Sequence, residues 1–274
     1  MNVVVIGSSG FLGECVTRRL TSQGHVPIST HHTHPKFSGS LRYDFFSDEP
    51  DFLPDEPATV IFTSAVEISK TTEEVQAAMR RLLVHLKNHR FAYLSSDGIF
   101  DGAQGNYREE DVPYPKTQYG RNLLACETLI RQKLENYCII RPSYIYGVVA
   151  SKLDSRLDGV RKRLLAGEEF FGFHDMYKSP LGVGQLAQAV TGLAASDFVG
   201  TLHIAGERMS VYDFYQQAMT ALGVDTTNLV ARAMPPDPSL LRDTSLDISR
   251  WKKLSGIAPE PVSETLKKEH LSQV

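Results

Sequence analysis

The sequence predicts an α/β chain: a Rossmann-type, doubly wound parallel sheet with a smaller C-terminal substrate lobe. Two observations predict it. Short apolar, β-branched runs alternate with segments of helical period through the first half of the chain. The first of those runs stops at Gly7 and passes through Gly7-Ser8-Ser9-Gly10-Phe11-Leu12-Gly13 straight into a helical pattern.

Residues 2–6 (NVVVI) form a strand apolar enough to be buried on both faces, as strands of parallel sheets are. Residues 11–20 follow as a helix, with Leu12, Val16 and Leu20 four residues apart. Further strands are expected at 25–30, 58–62, 91–95 and 137–140, with helices at 73–87 and 117–133 between the last three. Repeated strand–helix–strand units imply right-handed crossovers and hence parallel strands. Beyond about residue 145 the alternation loosens into helices at 157–166, 183–195 and 211–222 and a short strand at 201–204. The expected division is an NAD(P)-binding domain over 1–150, with later segments returning to it, and a mainly substrate-binding lobe over 151–274.

Composition narrows the function classes. With 42% hydrophobic and 22% charged residues, a net charge of −3 and a pI near 6.3, nothing favours nucleic acid or an anionic membrane. No apolar run reaches membrane-spanning length, and the opening residues carry no basic signal segment, so a cytoplasmic protein is expected. Cys15, Cys126 and Cys138 are scattered and read as buried thiols.

The glycine turn carries the first chemistry. Gly7 permits the tight turn, Gly10 lets a pyrophosphate approach the backbone, and Gly13 lets the helix pack close on the strand. The helix N-terminus then faces the phosphates. Gly7, Ser9, Gly10, Phe11 and Leu12 are therefore expected against the cofactor. The end of the second strand chooses between cofactors, because an acid there would hold the adenine ribose hydroxyls of NAD. This chain has Thr30-His31-His32-Thr33-His34-Pro35-Lys36, with no acid and several donors for a 2′-phosphate. NADP is expected, with NAD the alternative, and Thr30 and His31 are placed at that position. The three histidines lack the helical spacing and carboxylate partners of a metal site, so no metal is expected.

From residue 91 onward the sequence becomes specific. FAYLSSDGIFDG (91–102), YREEDVPYPKTQYG (107–120), Ala125-Cys126-Glu127 and IIRPSYIYG (139–147) arrive in that order. This set resembles the extended short-chain dehydrogenase/reductase superfamily, within it the dTDP-4-dehydrorhamnose reductase branch. That branch carries S-T-D-Y-V-F-D-G at a strand end, a Y-G-x-x-K-x-x-x-E helix and R-x-S-x-x-Y-G. Ser179-Pro180, Gln185-Leu186-Ala187 and Ser245-Leu246-Asp247 extend the likeness over essentially the whole chain. The resemblance implies an oxidoreductase that uses NADP(H) to reduce a keto-sugar nucleotide or a related small carbonyl compound. It implies that Ser96 polarises the carbonyl oxygen and Tyr119 protonates it. It also implies Asp44 and Phe45 near adenine, Ser64 and Ala65 under the cofactor, and Tyr119 and Pro142 beside it.

Two positions depart from the pattern. The lysine four residues after the catalytic Tyr is Leu123, and Gly120 and Glu127 fix that register. No tyrosine of the chain has a Lys at that spacing, and Arg121 at i+2 lies off the i, i+4 face. Without the cation, Tyr119 is expected to titrate nearer a free phenol's value of about 10. The second departure is Gly98, where the family has a pocket-lining Tyr. The loss of Lys keeps an alternative open: a catalytically degenerate NADP-binding regulatory or scaffold subunit, as the β subunit of methionine adenosyltransferase is in the same branch. A sugar-nucleotide epimerase or dehydratase ranks third, because Asp97 belongs to the reductase-like S-x-D string. The expected partner is a nucleotide-sugar substrate, with a homodimer or a partner enzyme as further associations.

Overall fold

Four consecutive apolar residues make β1 (Val3–Ile6), buried along its whole length. A computed structural model describes residues 2–65, 68, 70–237 and 239–271. After β1 come α1 (Phe11–Ser22), β2 (Ile28–His31), β3 (Leu41–Arg42), β4 (Thr59–Phe62), α2 (Thr72–Val84), β5 (Arg90–Leu94), α3 (Gln118–Lys133) and β6 (Tyr137–Arg141). The sheet order is β6-β5-β4-β1-β2-β3, with strand Gly200–His203 beyond β6 making seven. Every pairing from β3 to β6 is parallel. The chain builds outward from β1 to β3 on one side and from β4 to β6 on the other. The strand order therefore reverses between β1 and β4, where sheets of this kind bind ligands at the strand C-termini.

The rows of the sheet run Val5, Ile61, Ala92, Cys138 and Ile6, Phe62, Tyr93, Ile139, so β1, β4 and β5 finish side by side. Their exits, Gly7 onward, Thr63 onward and Ser95 onward, share one edge. α2 starts where Thr71 and Glu74 close a capping box, each side chain satisfying the other's backbone N–H.

The chain forms two compact units. One comprises Met1–Phe100, Val112–Arg141 and Ala187–Leu202; the other comprises Asp101–Asp111, Pro142–Leu186 and His203–Val274. The first holds the large sheet. In the second, Tyr146, Leu157, Phe214, Met219 and Leu266 lie in one core contributed by helices Ser155–Leu165, Val211–Ala221 and Val262–Leu271. Strands Phe170–Phe173 and Leu229–Arg232 pair in parallel beside it. Among the described residues no helix is long and apolar enough to cross a membrane.

The helices and strands expected from periodicity are present within a few residues, and the differences have local causes. β2 starts at Ile28 rather than 25, because His25 instead closes the end of α1 by donating its N–H to Leu20 O. β3 is two exposed residues long and carries no periodicity to detect. Cys126 and Cys138 are buried, and burial pushes the Cys138 thiol up to about 12; Cys15 is only half-buried.

A Cβ on Gly13 would collide with the Gly7 carbonyl oxygen and lie 2.6 Å from Thr63 Oγ1, so α1 can sit this close to β1 only with glycine there. Gly159, by contrast, is exposed inside helix Ser155–Leu165 with nothing within 4 Å of its missing side chain. Urea denaturation is expected to show Gly13→Ala less stable by about 1–3 kcal/mol. The same measurement should show Gly159→Ala more stable by roughly 0.5–1 kcal/mol, the helix cost of glycine.

Candidate active site

The turn after β1 is held from below. Gly7 takes φ +87°, which only glycine adopts without strain. Its N–H donates to Thr30 Oγ1 at 3.2 Å, and Ser8 donates both its N–H and its hydroxyl to Thr30 O at 2.9 Å. A Cβ on Gly7 would collide with Ser64 Oγ, so the β4 exit lies directly against the turn. Gly10 differs from its neighbours: a Cβ there would meet only Gly7 O, at 3.3 Å, and the residue is exposed. It occupies the N-cap of α1 and no side chain caps the backbone N–H groups of that helix start. Ser9 and Phe11 are partly accessible, whereas Leu12 is buried.

The expected adenosine end divides. Thr30 is 1% exposed and its hydroxyl serves the turn, so it supports the glycines rather than facing outward. His31 is half-buried with Nδ1 3.0 Å from Ser40 Oγ. Asp44 turns its own loop by accepting from Phe46 N at 2.9 Å, and lies 3.6 Å from His32 Nε2. Phe45 is core, its ring edge-on to Phe62 at 5.2 Å. Ala65 is exposed; Pro142 is buried at the start of the Pro142–Leu186 segment of the second unit. Periodicity gave no sign of Glu14, which is almost fully buried in the first turn of α1. It binds Lys36 Nζ at 2.5 Å and Arg18 at 2.8 Å. Its only signal was the i, i+4 spacing to Arg18. Burial alone would raise its pKa, but Lys36 and Arg18 outweigh that and hold it below the usual 4.5.

Ser96 and Tyr119 meet at a second glycine contact. Ser96 caps the single 3-10 turn Asp97–Ile99, accepting from Gly98 N at 3.2 Å and donating to Asp97 Oδ1 at 2.9 Å. α3 is capped by Thr117, which accepts from Gly120 N at 3.0 Å. A Cβ on Gly120 would collide with Gly98 O, so glycine brings the start of α3 onto the Ser96 turn. The Tyr119 ring thereby lies over Gly98: a Cβ there would be 3.2 Å from Tyr119 Cε1 and 3.7 Å from Ser96 Oγ. Gly98 thus makes room for the tyrosine. Leu123, on the same face one turn on, is 1% exposed and packs in the interior. Arg121 does not replace the missing lysine; it is exposed and donates to Gln118 Oε1 and Lys116 O.

Behind this pair lies an ionic cluster. Glu127 is wholly buried and receives Arg141 through two bonds, at 2.9 and 2.7 Å. Ser95 Oγ donates to it at 2.6 Å and Arg131 at 2.7 Å. Burial pushes the Glu127 carboxyl up, but Arg141, then Arg131 and Ser95, hold it below the usual range.

Fold and site together define a Rossmann-type dinucleotide-binding protein with a serine–tyrosine pair at the same sheet edge. The chain belongs to the RmlD substrate binding domain family, whose model matches residues 1–272. It is 28% identical over 253 residues to the "Probable low-salt glycan biosynthesis reductase Agl14" of Haloferax volcanii, covering 85% of this chain and 84% of that protein. The crystal structure of a hypothetical dTDP-4-dehydrorhamnose reductase from Sulfolobus tokodaii superposes with a TM-score of 0.79 at 28% identity, over 95% of this chain and 96% of the other. A dTDP-4-dehydrorhamnose reductase from Bacillus anthracis, crystallised with NADP, shares the fold at a TM-score of 0.80 and 16% identity, covering 100% and 99%.

Glu14 and Glu127 have folded pKa values below 4.5, so the stability they confer is complete above that value and is lost as pH falls through the lower folded ones. The urea midpoint is expected to drop steeply below about pH 4.5, and Glu14→Gln should flatten that acid limb. An unchanged limb in the variant would show that Glu14 has no part in it. Gly98→Ala is expected to press on the Tyr119 ring and lower turnover while costing about 1–3 kcal/mol of stability or less, measured by parallel assay and urea titration.

Proposed function

We propose that this chain is an NADP-dependent reductase of a keto-sugar nucleotide, with dTDP-4-dehydrorhamnose as the first substrate to test. The observation that carries this reading is the placement of Ser96 and the Tyr119 ring together beside Gly98, at the sheet edge where the Gly7–Gly13 turn also emerges. Family membership and the relatives named as reductases support it.

The residues fit the cofactor. The uncapped start of α1 and the open side of Gly10 suit a pyrophosphate. His31 and His32 lie at the end of β2, where a 2′-phosphate would need donors, and Lys36, five residues beyond β2, is held with Arg18 by Glu14. When bound, NADPH supplies the hydride. The chain's own residues manage the proton and the oxygen. Tyr119 holds the proton that the carbonyl oxygen must receive. Ser96, whose hydroxyl donates to Asp97 here, turns its O–H about the Cβ–Oγ bond to donate to the substrate oxygen instead. Leu123 stands in the lysine position and supplies no ammonium from there, so proton donation rests on the phenol and its other neighbours. In this reading the second unit provides the substrate lobe.

Consumption of NADPH in the presence of dTDP-4-dehydrorhamnose is the direct assay. Tyr119→Phe is expected to lower kcat by about a hundredfold or more while leaving the NADPH Kd nearly unchanged. Leu123→Lys is expected to raise kcat at neutral pH. If the wild type oxidises no NADPH with this or related keto-sugar nucleotides, and Leu123→Lys creates no activity, the reductase reading is wrong.

A further inference from the structure

We propose that the buried Glu127–Arg141 pair is a positioning unit that sets Ser96 in register with Tyr119, a role that rests on the reductase reading above. Three segments of the site converge on the Glu127 carboxylate. Ser95, which donates to Oε1 at 2.6 Å, is the residue immediately before Ser96 at the end of β5. Glu127 itself lies on α3, eight residues or about 12 Å of helix beyond Tyr119. Arg141, bonded to both carboxylate oxygens, ends β6 and lies under the Phe100 ring at 5.5 Å, just after the Ser96 turn. Arg131 takes the remaining acceptor site at 2.7 Å and also donates to Thr201 at 3.0 Å, adding the edge strand Gly200–His203. All four acceptor positions of the carboxylate are used.

Stability alone does not account for such an arrangement. Burying an ion pair loses about as much in desolvation as it gains, and well-packed apolar residues of similar volume do as well or better. What an apolar patch lacks is direction. The Ser95 bond fixes the end of β5 against α3 and the two Arg141 bonds fix the end of β6 there, whereas methyl groups would let these strands slide. Tyr119 is then held by the Gly120–Gly98 approach at one end of α3 and by Glu127 two turns on.

The test compares wild type with Glu127→Leu/Arg141→Met, which removes both charges together and avoids the buried unpaired ion that either single change would leave. The double variant is expected to show native circular dichroism and a cooperative melt. With dTDP-4-dehydrorhamnose and NADPH, kcat per NADPH-binding site, which counts only folded molecules, should fall at least about tenfold with KM within about threefold. Amide exchange at Gly98 and Gly120, whose N–H groups bond Ser96 and Thr117, should accelerate. Should the double variant not fold, Ser95→Ala removes one bond only and is expected to lower kcat in the same KM-neutral way. Wild-type kcat and wild-type exchange in a folded variant would overturn the proposal. If the wild type itself does not turn over, the reductase reading fails separately, and exchange judges the clamp: acceleration supports it, unchanged protection overturns it.

Discussion

The structure depends on a helix start coming into contact with a carbonyl in the turn that follows a strand, which only glycine permits. Gly13 brings α1 onto the Gly7 carbonyl, and Gly120 brings α3 onto the Gly98 carbonyl. The first contact shapes the anion-receiving turn; the second lays the Tyr119 ring over Gly98 beside Ser96. A third close approach of glycine to a carbonyl, Gly206 on Pro180, occurs in the second unit. A methyl group at any of these positions separates two backbones by more than the packing tolerates. The apolar rows of β1, β4 and β5 hold the strand ends level so that the Gly13 and Gly120 contacts emerge along one edge.

Charges are used where direction is needed. Glu14 and Glu127 are both buried, and both are more acidic than an ordinary glutamate because guanidinium and ammonium groups outweigh the effect of burial. Each joins pieces of chain that packing alone would leave free to slide. Glu14 ties the loop after β2 to the first turn of α1, and Glu127 ties β5 and β6 to α3.

Much of this was legible in the sequence, for physical reasons that vary with the residue. β1 was plain because a doubly buried strand shows no polar alternation. The glycine turn was plain because three glycines at that spacing, between such a strand and a helix, meet the backbone demands of a phosphate-binding turn. The ordered motifs point to Ser96 and Tyr119, and in the structure both side chains lie beside Gly98. Thr30 and Phe45 were expected at the cofactor, yet one is buried under Gly7 and the other against Phe62. Sequence position places a residue at a strand end, but which way its side chain points depends on neighbours far along the chain. Glu127 helps fix the motif's register, but its partner Arg141 ends the next strand, and no helical or strand spacing announces such a pair.

The central proposal is that Ser96 and Tyr119 still serve hydride transfer although Leu123 stands in place of lysine. The most direct measurement is the fate of deuterium when the wild-type protein is incubated with dTDP-4-dehydrorhamnose and NADPH deuterated at one face or the other of its C4. The predicted product is a sugar nucleotide carrying deuterium at its own C4, delivered from one face of the cofactor only. Bound NADPH that stays unoxidised, with no label in the sugar, would contradict it.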